Sequence, residues 1–572
     1  MQLVRRIPIP ALSCALALLV CELVSRPYAE MGIGDDRPYI LTAQKLAATG
    51  HVMYNGWAAA ILGWQLYLGA AFIKLFGPSL TSVRMSTLLV AMALAVVLQR
   101  IMVRANVSER NATIGTLALV LSPLYLMLSV TFESDIQGLF AVVLCFYGCL
   151  RALQATTSRA AIAWLCFAVL TNAICGSSRQ IEWLGVLVMV PSALWLLRAQ
   201  RRVLLAGAAA TLAGALFVFA CMHWFQHQPY SIPMPIVVPI VPVRRQILWQ
   251  FIVSFLDLPF LLLPIAALFL PQIRKSRPRV VAVLFLGYLL AAVHPHHVGH
   301  IFLLEPTQGE FINLYGLSIP VLQGNPPIFL NTGVQVLLTI ASFGGLLGLI
   351  ASLLRSRGAP PAVDSSSRIS WKQLGTLLVP FTIIYTLFLI PSAATYVIHD
   401  RYLLVPLVVA LPCLVRYYQE RIQPRLPLAS VLLVGIMAIY AIATTHNTFA
   451  LDRSRVAMAA EIRAAGVPDT SVDNGWEYNF GVELQHADFV NDPRIVVPAH
   501  AYVPTPPPTA STCPMLFFDQ TPHIKPRYSV SFDPNECSGL APFAPVSYSR
   551  WLASKPGTLY VVRSTVSPDA TP

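Results

Sequence analysis

The sequence predicts an all-α polytopic membrane protein, with about 13 transmembrane helices and a small C-terminal extracytoplasmic domain of mixed α/β structure. Three observations support this prediction. Of the 572 residues, 56% are hydrophobic and only 11% are charged. The mean hydropathy is +0.65, and long apolar runs recur as far as residue 443. Because a soluble domain carries about 25% charged residues, lipid must be the solvent for most of this chain.

The apolar runs have about the length that crosses a hydrocarbon layer, roughly 17–25 residues. The first run follows Arg5 and Arg6, and no small-x-small cleavage site lies behind it, which favours an uncleaved signal anchor over a signal peptide. The predicted spans are Ile7–Val24, Leu80–Val103, Ile114–Val130, Ile136–Leu153, Ala160–Cys175, Trp183–Leu197, Val203–Met222, Ile247–Leu270, Val280–Val293, Val334–Leu354, Leu374–Ile390, Tyr402–Val415 and Leu428–Ala443.

The distribution of Lys and Arg predicts the orientation. If the apolar segment Trp57–Phe76 lies flat on the membrane, basic residues collect in every second loop, as the positive-inside rule requires. This segment is therefore interpreted as an interfacial helix in the first outer loop. The N-terminus is then cytoplasmic and the C-terminal domain periplasmic or extracellular, in a plasma membrane such as the bacterial inner membrane. The net charge of +13 is spread over short loops, which argues against a nucleic-acid partner.

The chain is predicted to divide into two domains. Residues 1–446 form the multi-span domain, with an outer loop at 25–79, and residues 447–572 form the extracytoplasmic domain. The second part is rich in Pro and polar residues and contains short β-like runs. Cys513 and Cys537 both lie in it, and an oxidising compartment would allow a disulfide between them.

Acidic residues occur at two points on the predicted outer side. Asp35 and Asp36 follow the first span, and Glu133 and Asp135 lie where the third span ends. Carboxylates at a membrane boundary are costly unless they are paired or solvated, so they indicate a functional site. The Asp35-Asp36 pair either binds a divalent cation, acts as a general base on an acceptor hydroxyl, or caps a helix that begins near Pro38. A simple loop is the alternative for the second pair.

Isolated arginines on the same side indicate an anionic ligand such as a phosphate. They are Arg179 after the fifth span and Arg244-Arg245 before the eighth. A lipid headgroup contact, or an ion pair of Arg179 with Glu182, is the alternative. A run of histidines that includes His297 also lies on this side. No Cys or carboxylate stands at a supporting spacing, so phosphate binding or interfacial packing is favoured there over a metal site.

Nucleotide-binding motifs are absent from the sequence. It contains no Walker signature and no dinucleotide fingerprint, and the predicted cytoplasmic loops are too short for a nucleotide-binding domain. An activated donor on the outer side would therefore have to be carried by a lipid.

These features together resemble the C-class membrane glycosyltransferases, in the branch of protein O-mannosyltransferases and bacterial aminoarabinose transferases. The resemblance covers most of the chain in layout, although its motifs are short. Where family members often carry His-Pro-Pro or Glu-Lys-Pro before the interfacial helix, this chain has Tyr54-Asn55-Gly56-Trp57. The similar segments are Asp35 to Tyr39, Tyr67 to Gly77 followed by Arg84, Ser122-Pro123 with Asp135, Asp400 to Pro406, and Asp473 to Asn479.

The resemblance implies sugar transfer from a polyprenyl-phosphate donor to an acceptor on the outer face, where the acceptor is a lipid, a protein or a glycan. It implies that Asp35, with Asp36, is the base or a metal-linked carboxylate, and that Asp135 orients the acceptor, with Glu133 and Tyr39 nearby. The donor phosphate would be held by Arg179, Arg244, Arg245, Arg401 and His297. No cofactor is required by this interpretation, although a divalent cation is compatible with it.

Two other functional classes fit part of the sequence. A transporter or flippase for a lipid-linked or anionic substrate would also place charges among spans, but no paired halves with matching broken helices are visible. A glycan polymerase or ligase would use the same type of donor and would carry one large late loop with Arg and His. Residues 293–323 resemble such a loop.

Overall fold

The computed structural model describes residues 9–57, 60–232, 240–275, 278–292, 304–307, 309, 311–356, 369–395, 397–506 and 513–564. Helices dominate this part of the chain. In its first half they are α1 (Ile9–Ser25), α2 (Asp36–Thr49), α3 (Trp64–Phe76), α4 (Leu80–Arg104), α5 (Glu109–Val120), α6 (Pro123–Ser129), α7 (Ser134–Leu153), α8 (Ser158–Cys175), α9 (Val190–Leu196) and α10 (Arg201–Gln226).

In the second half the helices are α11 (Ile240–Leu261), α12 (Leu263–Ala266), α13 (Pro278–Ala292), α14 (Thr332–Ser356), α15 (Trp371–Phe388), α16 (Ile390–Thr395), α17 (Leu404–Arg421), α18 (Leu428–Ala464) and α19 (Trp476–Ala487). The strands are short: β1 (Ile312–Asn313), β2 (Gly316–Leu317), β3 (Val472–Asp473), β4 (Tyr528–Ser531), β5 (Val546–Tyr548) and β6 (Gly557–Arg563).

Within the described ranges, 8 helices are long and apolar enough to cross a membrane, or up to 10 spans if each of two bent helix pairs counts as one. The other three predicted spans correspond to the shorter apolar segments Ile9–Ser25 and Gln180–Leu196 and to α13. The polytopic helical architecture thus agrees with the sequence, while the count of 13 stays a prediction.

Two of the predicted spans are not single straight helices. The span predicted at Ile114–Val130 consists of α5 and α6, which meet at a bend of 70°. The bend follows from Ser122-Pro123: the Ser122 hydroxyl accepts a hydrogen bond from the Tyr125 N–H and caps α6, with Pro123 in its first turn, where proline needs no donor. The span predicted at Ile247–Leu270 bends by 76° around Leu262, next to Pro264 in the first turn of α12.

The loop between α1 and α4, which we call the first outer loop after its predicted side, contains the two helices α2 and α3. The segment predicted as interfacial, Trp57–Phe76, is helical from Trp64, and residues 58–59 lie outside the described part. The 13 residues of α3 extend only about 20 Å, which is shorter than the ~30 Å of hydrocarbon. This helix therefore does not cross the bilayer, while its in-plane orientation stays a prediction.

The C-terminal part combines a small sheet with one helix. The sheet order is β3-β4-β6-β5, with β3 parallel to β4 and the other pairs antiparallel. Its inner residues, such as Val530 and Val561, pack with Met458 and Ile462 at the end of α18 in one apolar cluster. Cys513 and Cys537 form a disulfide, as the sequence allowed. The predicted domain boundary at residue 446 falls inside the continuous helix α18.

Candidate active site

Five charged side chains from four separate parts of the chain meet in one place. Asp35 lies directly before α2, Glu133 and Asp135 lie at the start of α7, Arg179 follows α8, and Arg401 precedes α17. We call this set the open cluster. All five residues were predicted site residues, so the structure brings together most of the predicted outer-side charges.

Arg401 contacts three carboxylates of the open cluster. Its guanidinium lies 3.0 Å from the Asp35 carboxylate, 2.9 Å from Glu133 and 3.6 Å from Asp135. The Glu133 carboxylate also accepts a hydrogen bond of 2.6 Å from the backbone N–H of Asp35. One arginine thus connects the first outer loop to the start of α7.

The second arginine is held from two sides. Arg179 forms an ion pair with Asp135 and lies 3.9 Å from Glu182, and its guanidinium stands 4.3 Å above the ring centre of Tyr402. A cation over an aromatic face is attracted by the ring quadrupole. The alternative raised from sequence, an Arg179–Glu182 pair, is therefore present only as the longer of two contacts.

Glycines allow these segments to approach one another. A Cβ atom on Gly34 would collide with a carboxylate oxygen of Glu133, and Gly34 adopts a positive φ of 58°, which favours glycine. A Cβ atom on Gly138 in α7 would come within 2.9 Å of Glu182 and 3.0 Å of Arg179. The close contacts of the open cluster therefore depend on one glycine in the loop before α2 and one in α7.

Exposure divides the open cluster into two layers. The side chains of Asp35, Arg401 and Arg179 are 21%, 14% and 13% exposed, whereas those of Glu133 and Asp135 are 1% and 2% exposed. The first three can contact a ligand, and the buried carboxylates hold the two arginines in place.

The open cluster has more acid than base. Together with Glu182 it contains four carboxylates (Asp35, Glu133, Asp135, Glu182) and two guanidinium groups. Burial raises the pKa of Glu133 well above its usual value, and Asp35 and Asp135 add to the rise against the opposing effect of Arg401. Both Glu182 carboxylate oxygens are buried without a hydrogen-bond partner. Such an excess of carboxylates suits a site that takes up a proton or a cation.

Helix capping does not explain Asp35. It occupies the N-cap position of α2, but its side chain accepts no hydrogen bond from that helix and instead pairs with Arg401. Asp36, the other predicted catalytic carboxylate, is fully buried. It lies 2.7 Å from Arg84 and accepts a hydrogen bond from the Ile33 N–H, so both of its oxygens have partners away from the open cluster.

The remaining predicted residues lie around or away from the open cluster. Tyr39 is buried within electrostatic reach of Asp35 and Glu133, and burial raises the pKa of its hydroxyl. Arg244 and Arg245 are exposed on α11 and make no ion pair with a carboxylate in the described residues, so the structure does not join them to the cluster. His297 lies outside the described residues.

Sequence reasoning missed three groups at this site. The Tyr385 hydroxyl donates a hydrogen bond of 3.2 Å to the carbonyl of Tyr402, whose ring lies beneath Arg179. Burial, followed by the charge of Arg401, lowers the pKa of His399 to about 3. The signal for Tyr402 and His399 was their position beside Arg401 in the chain, and Tyr385 lies in an apolar helix with no such signal.

A metal site is not preformed in the described residues. No three His, Cys, Asp or Glu side chains there are arranged to hold a metal ion. In the open cluster this follows from the geometry, because arginines stand between the carboxylates. A divalent cation would have to displace at least one arginine contact.

No known family model and no curated protein matches the chain. Among solved structures, it is similar to apo ArnT from Cupriavidus metallidurans, with 14% identity over 83% of this chain and 87% of that chain and a TM-score of 0.37. It is also similar to the Archaeoglobus fulgidus oligosaccharyltransferase, with 15% identity, coverage of 78% and 55%, and a TM-score of 0.40.

The S. cerevisiae protein O-mannosyltransferase Pmt1-Pmt2 complex matches at 13% identity over 38% of this chain, with a TM-score of 0.31. The chain spans about a third of the length of that protein, or 33%. By their names, the O-mannosyltransferase and the oligosaccharyltransferase transfer a mannosyl or an oligosaccharide unit.

Proposed function

We propose that this protein transfers a sugar from a polyprenyl-phosphate donor to an acceptor hydroxyl at the outer face of a plasma membrane. The observation that carries the proposal is the layered open cluster. One accessible carboxylate, Asp35, stands beside two accessible guanidinium groups, Arg179 and Arg401. Buried carboxylates behind them fix the positions of both arginines.

The proposed reaction is a displacement at the anomeric carbon of the donor. The acceptor oxygen forms a bond to that carbon while the bond from the carbon to the phosphate oxygen breaks. Asp35 takes the proton from the acceptor hydroxyl, a role that requires a carboxylate within hydrogen-bond reach of the substrate. The electron pair of the broken bond leaves with the polyprenyl phosphate.

The two arginines stabilise this leaving phosphate. A guanidinium group presents several N–H donors in a planar fork that fits phosphate oxygens, and donors held in place before the reaction lower its barrier most. Arg401 and Arg179 are held in this way by Glu133 and Asp135. Glu133 also accepts a hydrogen bond from the Asp35 N–H, and Asp135 contacts both arginines. A phosphate can therefore replace one arginine contact while each buried carboxylate keeps another partner.

The location of the cluster favours a lipid-linked donor. Asp135 lies in the first turn of the candidate span Ser134–Leu153, and Arg401 lies at the start of the candidate span Asp400–Arg421. Charged residues at the end of a span lie near the lipid headgroups. A phosphate attached to a polyprenyl chain would occupy the same level, with its tail among the apolar helices.

The decisive experiment replaces Asp35 with Asn and measures sugar transfer in membranes. General-base catalysis contributes about 10²–10⁴-fold, so transfer should fall by that factor while the amount of folded protein stays unchanged. Asp488→Asn is a matched control, because the Asp488 side chain is 80% exposed and Lys45 is its one ion-pair partner among the described residues. A normal transfer rate in the Asp35→Asn protein would disprove the assignment.

The donor and acceptor can be identified in cells that lack the protein. Mass spectrometry should find a polyprenyl-linked sugar that accumulates, together with an acceptor that lacks the same sugar. Complementation with the Asp35→Asn variant should leave both changes in place, whereas the Asp488→Asn variant should reverse them. Accumulation without a missing modification would point instead to a flippase.

A further inference from the structure

A cavity lies in the C-terminal part of the protein, and none of its lining residues belongs to the open cluster. It has a volume of about 120 Å³. It forms where the segment before α14 meets the β3–α19 connection and the segment that follows Cys513. Its lining residues are Val321, Leu322, Gln323, Asp473, Trp476, Asn479, Pro514 and Leu516.

Three polar side chains in the lining are linked to one another. The Asn479 amide donates a hydrogen bond of 2.7 Å to Asp473, and the Gln323 amide donates to the same carboxylate at 3.4 Å and to the Pro514 carbonyl at 2.7 Å. Asp473 and Asn479 are 7% and 2% exposed. The groups are therefore fixed in position before any ligand binds.

These groups keep unused hydrogen-bonding capacity. An ionised carboxylate accepts about four hydrogen bonds, and an amide nitrogen carries two donors. In the described residues, oxygen Oδ2 of Asp473 accepts only the long contact from Gln323. The second amide hydrogen of Asn479 and the side-chain oxygen Oε1 of Gln323 likewise have no hydrogen bond there. The cavity therefore presents both acceptors and donors.

The remaining wall is aromatic and apolar. Trp476 is half-buried and is supported from behind by Trp57, with ring centres 6.1 Å apart and planes at 5°, and by Phe480 and Phe517 at steeper angles. In the described part of the chain its indole N–H donates no hydrogen bond. Leu322 and Leu516 complete the apolar surface.

The charge and size of the cavity restrict its ligand. Its lining contains no Lys or Arg, so it does not suit a phosphate or carboxylate. A cavity of roughly 150 Å³ accommodates a six-membered ring, and a slightly smaller one that opens to solvent can take such a ring with one edge outside. A ligand with apolar C–H faces and hydroxyl edges, which both donate and accept hydrogen bonds, fits the aromatic wall and the polar groups together.

We propose that this cavity binds one neutral sugar ring. The ring lies against the indole of Trp476, and vicinal hydroxyls bond to Asp473 and Asn479. A polar group bound by fixed acceptors and donors gains specificity, while the aromatic surface supplies apolar contact area.

The cavity and the open cluster are connected through the packing of α19 against α2. Trp476 begins α19, and Gly481 of the same helix lies against the Arg37 guanidinium in the first turn of α2. Trp57, which supports Trp476, also belongs to the first outer loop. On the proposed function, on which this step rests, the bound sugar is a unit of a glycan acceptor one helix away from the reacting hydroxyl.

Binding can be measured without catalysis. Purified full-length protein in detergent is titrated with a panel of methyl pyranosides and followed by saturation-transfer NMR. We expect at least one glycoside to bind with a Kd near 1 mM, which corresponds to about 4 kcal/mol. The Asp35→Asn protein should bind the same glycoside equally well.

Two variants test the location without deleting the packing around it. Leu516→Trp fills the cavity from its exposed edge, and Trp476→Phe keeps a ring against Trp57 but removes the indole. Each should weaken glycoside binding at least about tenfold, or 1.4 kcal/mol. Leu540→Trp is the control, because Leu540 is a similarly exposed leucine outside the cavity. Unchanged binding in both variants, or no binding of any glycoside to the wild-type protein, overturns the proposal.

The acceptor role has a separate outcome. With a glycan acceptor, Leu516→Trp should raise KM and leave kcat unchanged, because the contact is made equally in the ground and transition states. If glycosides bind but Asp35→Asn transfers sugar normally, the proposed function fails and the sugar site stands. If Asp35→Asn is inactive but no glycoside binds, the sugar site fails and the proposed function stands.

Discussion

Asp35 and Asp36 are neighbours in the chain but belong to two different kinds of charge cluster. Asp35 is partly exposed in the open cluster, where carboxylates outnumber guanidinium groups. Asp36 is fully buried and pairs with Arg84, whose other N–H groups donate to the backbone carbonyls of Ala29 and Met31 at 2.9 and 2.6 Å. Access to solvent therefore distinguishes the carboxylate that we propose as the base from its buried neighbour, because the residue type is the same.

We call the buried ion pair of Arg84 and Asp36 a closed cluster, because solvent does not reach it, and a second closed cluster is equally buried although it also has more acid than base. Arg455 lies 2.8 Å from Asp452 and 3.0 Å from Glu477, and all three side chains are at most 4% exposed. It joins α18 to α19. The closed clusters tie the first outer loop and the C-terminal part to the membrane helices, while the open cluster leaves charges available for a ligand.

The largest expected effect tests the closed cluster of Asp36 and Arg84. Asp36→Ala leaves the Arg84 guanidinium buried without its counter-charge, which costs about 3–5 kcal/mol. The thermal unfolding midpoint in detergent should fall sharply, and the folded fraction should keep most of its transfer activity. Asp488→Asn, which removes an exposed charge and tolerates the left-handed backbone at this position, should leave the midpoint unchanged. Wild-type stability of the Asp36→Ala protein would contradict the structural role.

The next largest effect tests the open cluster. Arg401→Gln removes a cation that we assign to the leaving phosphate, and the loss of one such group typically costs about 10²–10³ in rate. The initial rate of transfer, normalised to folded protein, measures it. Arg401→Lys keeps the charge but loses the planar fork, so its rate should lie between those of the wild-type and Gln proteins. Equal rates in all three would remove Arg401 from the mechanism.

A smaller effect concerns the contact between α19 in the C-terminal part and α2 in the first outer loop. Gly481→Ala places a methyl group against the Arg37 guanidinium, and overpacking of this kind costs about 1–3 kcal/mol. Gly435→Ala is the control, since a Cβ atom at Gly435 meets no atom within 4 Å. We expect a lower unfolding midpoint only for Gly481→Ala. Equal midpoints would show that the Arg37 guanidinium or α19 shifts at no cost.

The smallest effect is a pH dependence. His399 has a pKa of about 3 in the folded protein, below its ordinary value of 6.5, so the unfolded chain binds the proton more readily between these values. Stability therefore falls as the pH drops from about 6.5 towards 3. The unfolding midpoint of His399→Gln should decline less over this window than that of the wild-type protein. Parallel curves would show that His399 does not contribute.

The sequence was informative about this site wherever a charge was unusual for its place. Asp35, Asp135, Arg179 and Arg401 stood out because outer loops of membrane proteins contain few arginines and boundary carboxylates are costly. The same rule selected Arg244 and Arg245, which are exposed on α11. Local composition does not reveal which side of a helix faces a site formed by distant segments.

The sequence did not predict which charged side chains pair with each other. Nothing in the sequence near Asp36 indicates Arg84 as its partner, because 48 residues separate them and the contact depends on how α2 packs against α4. The bends at Ser122 and Leu262 were easier to anticipate in retrospect, since a proline follows each closely. Long apolar runs predict membrane residence well, but they do not tell a straight span from a broken one.

The length of α18 has a geometric consequence. At about 1.5 Å per residue, its 37 residues extend roughly 55 Å, and only about 30 Å of that is needed to cross hydrocarbon. The end of α18 therefore extends beyond the hydrocarbon. Because the small sheet packs against this end, the helix sets the distance of the sheet from the bilayer. On the proposed function, this fixed distance restricts the acceptor, because a glycan must extend far enough from its anchor to reach both the cavity near the sheet and the open cluster.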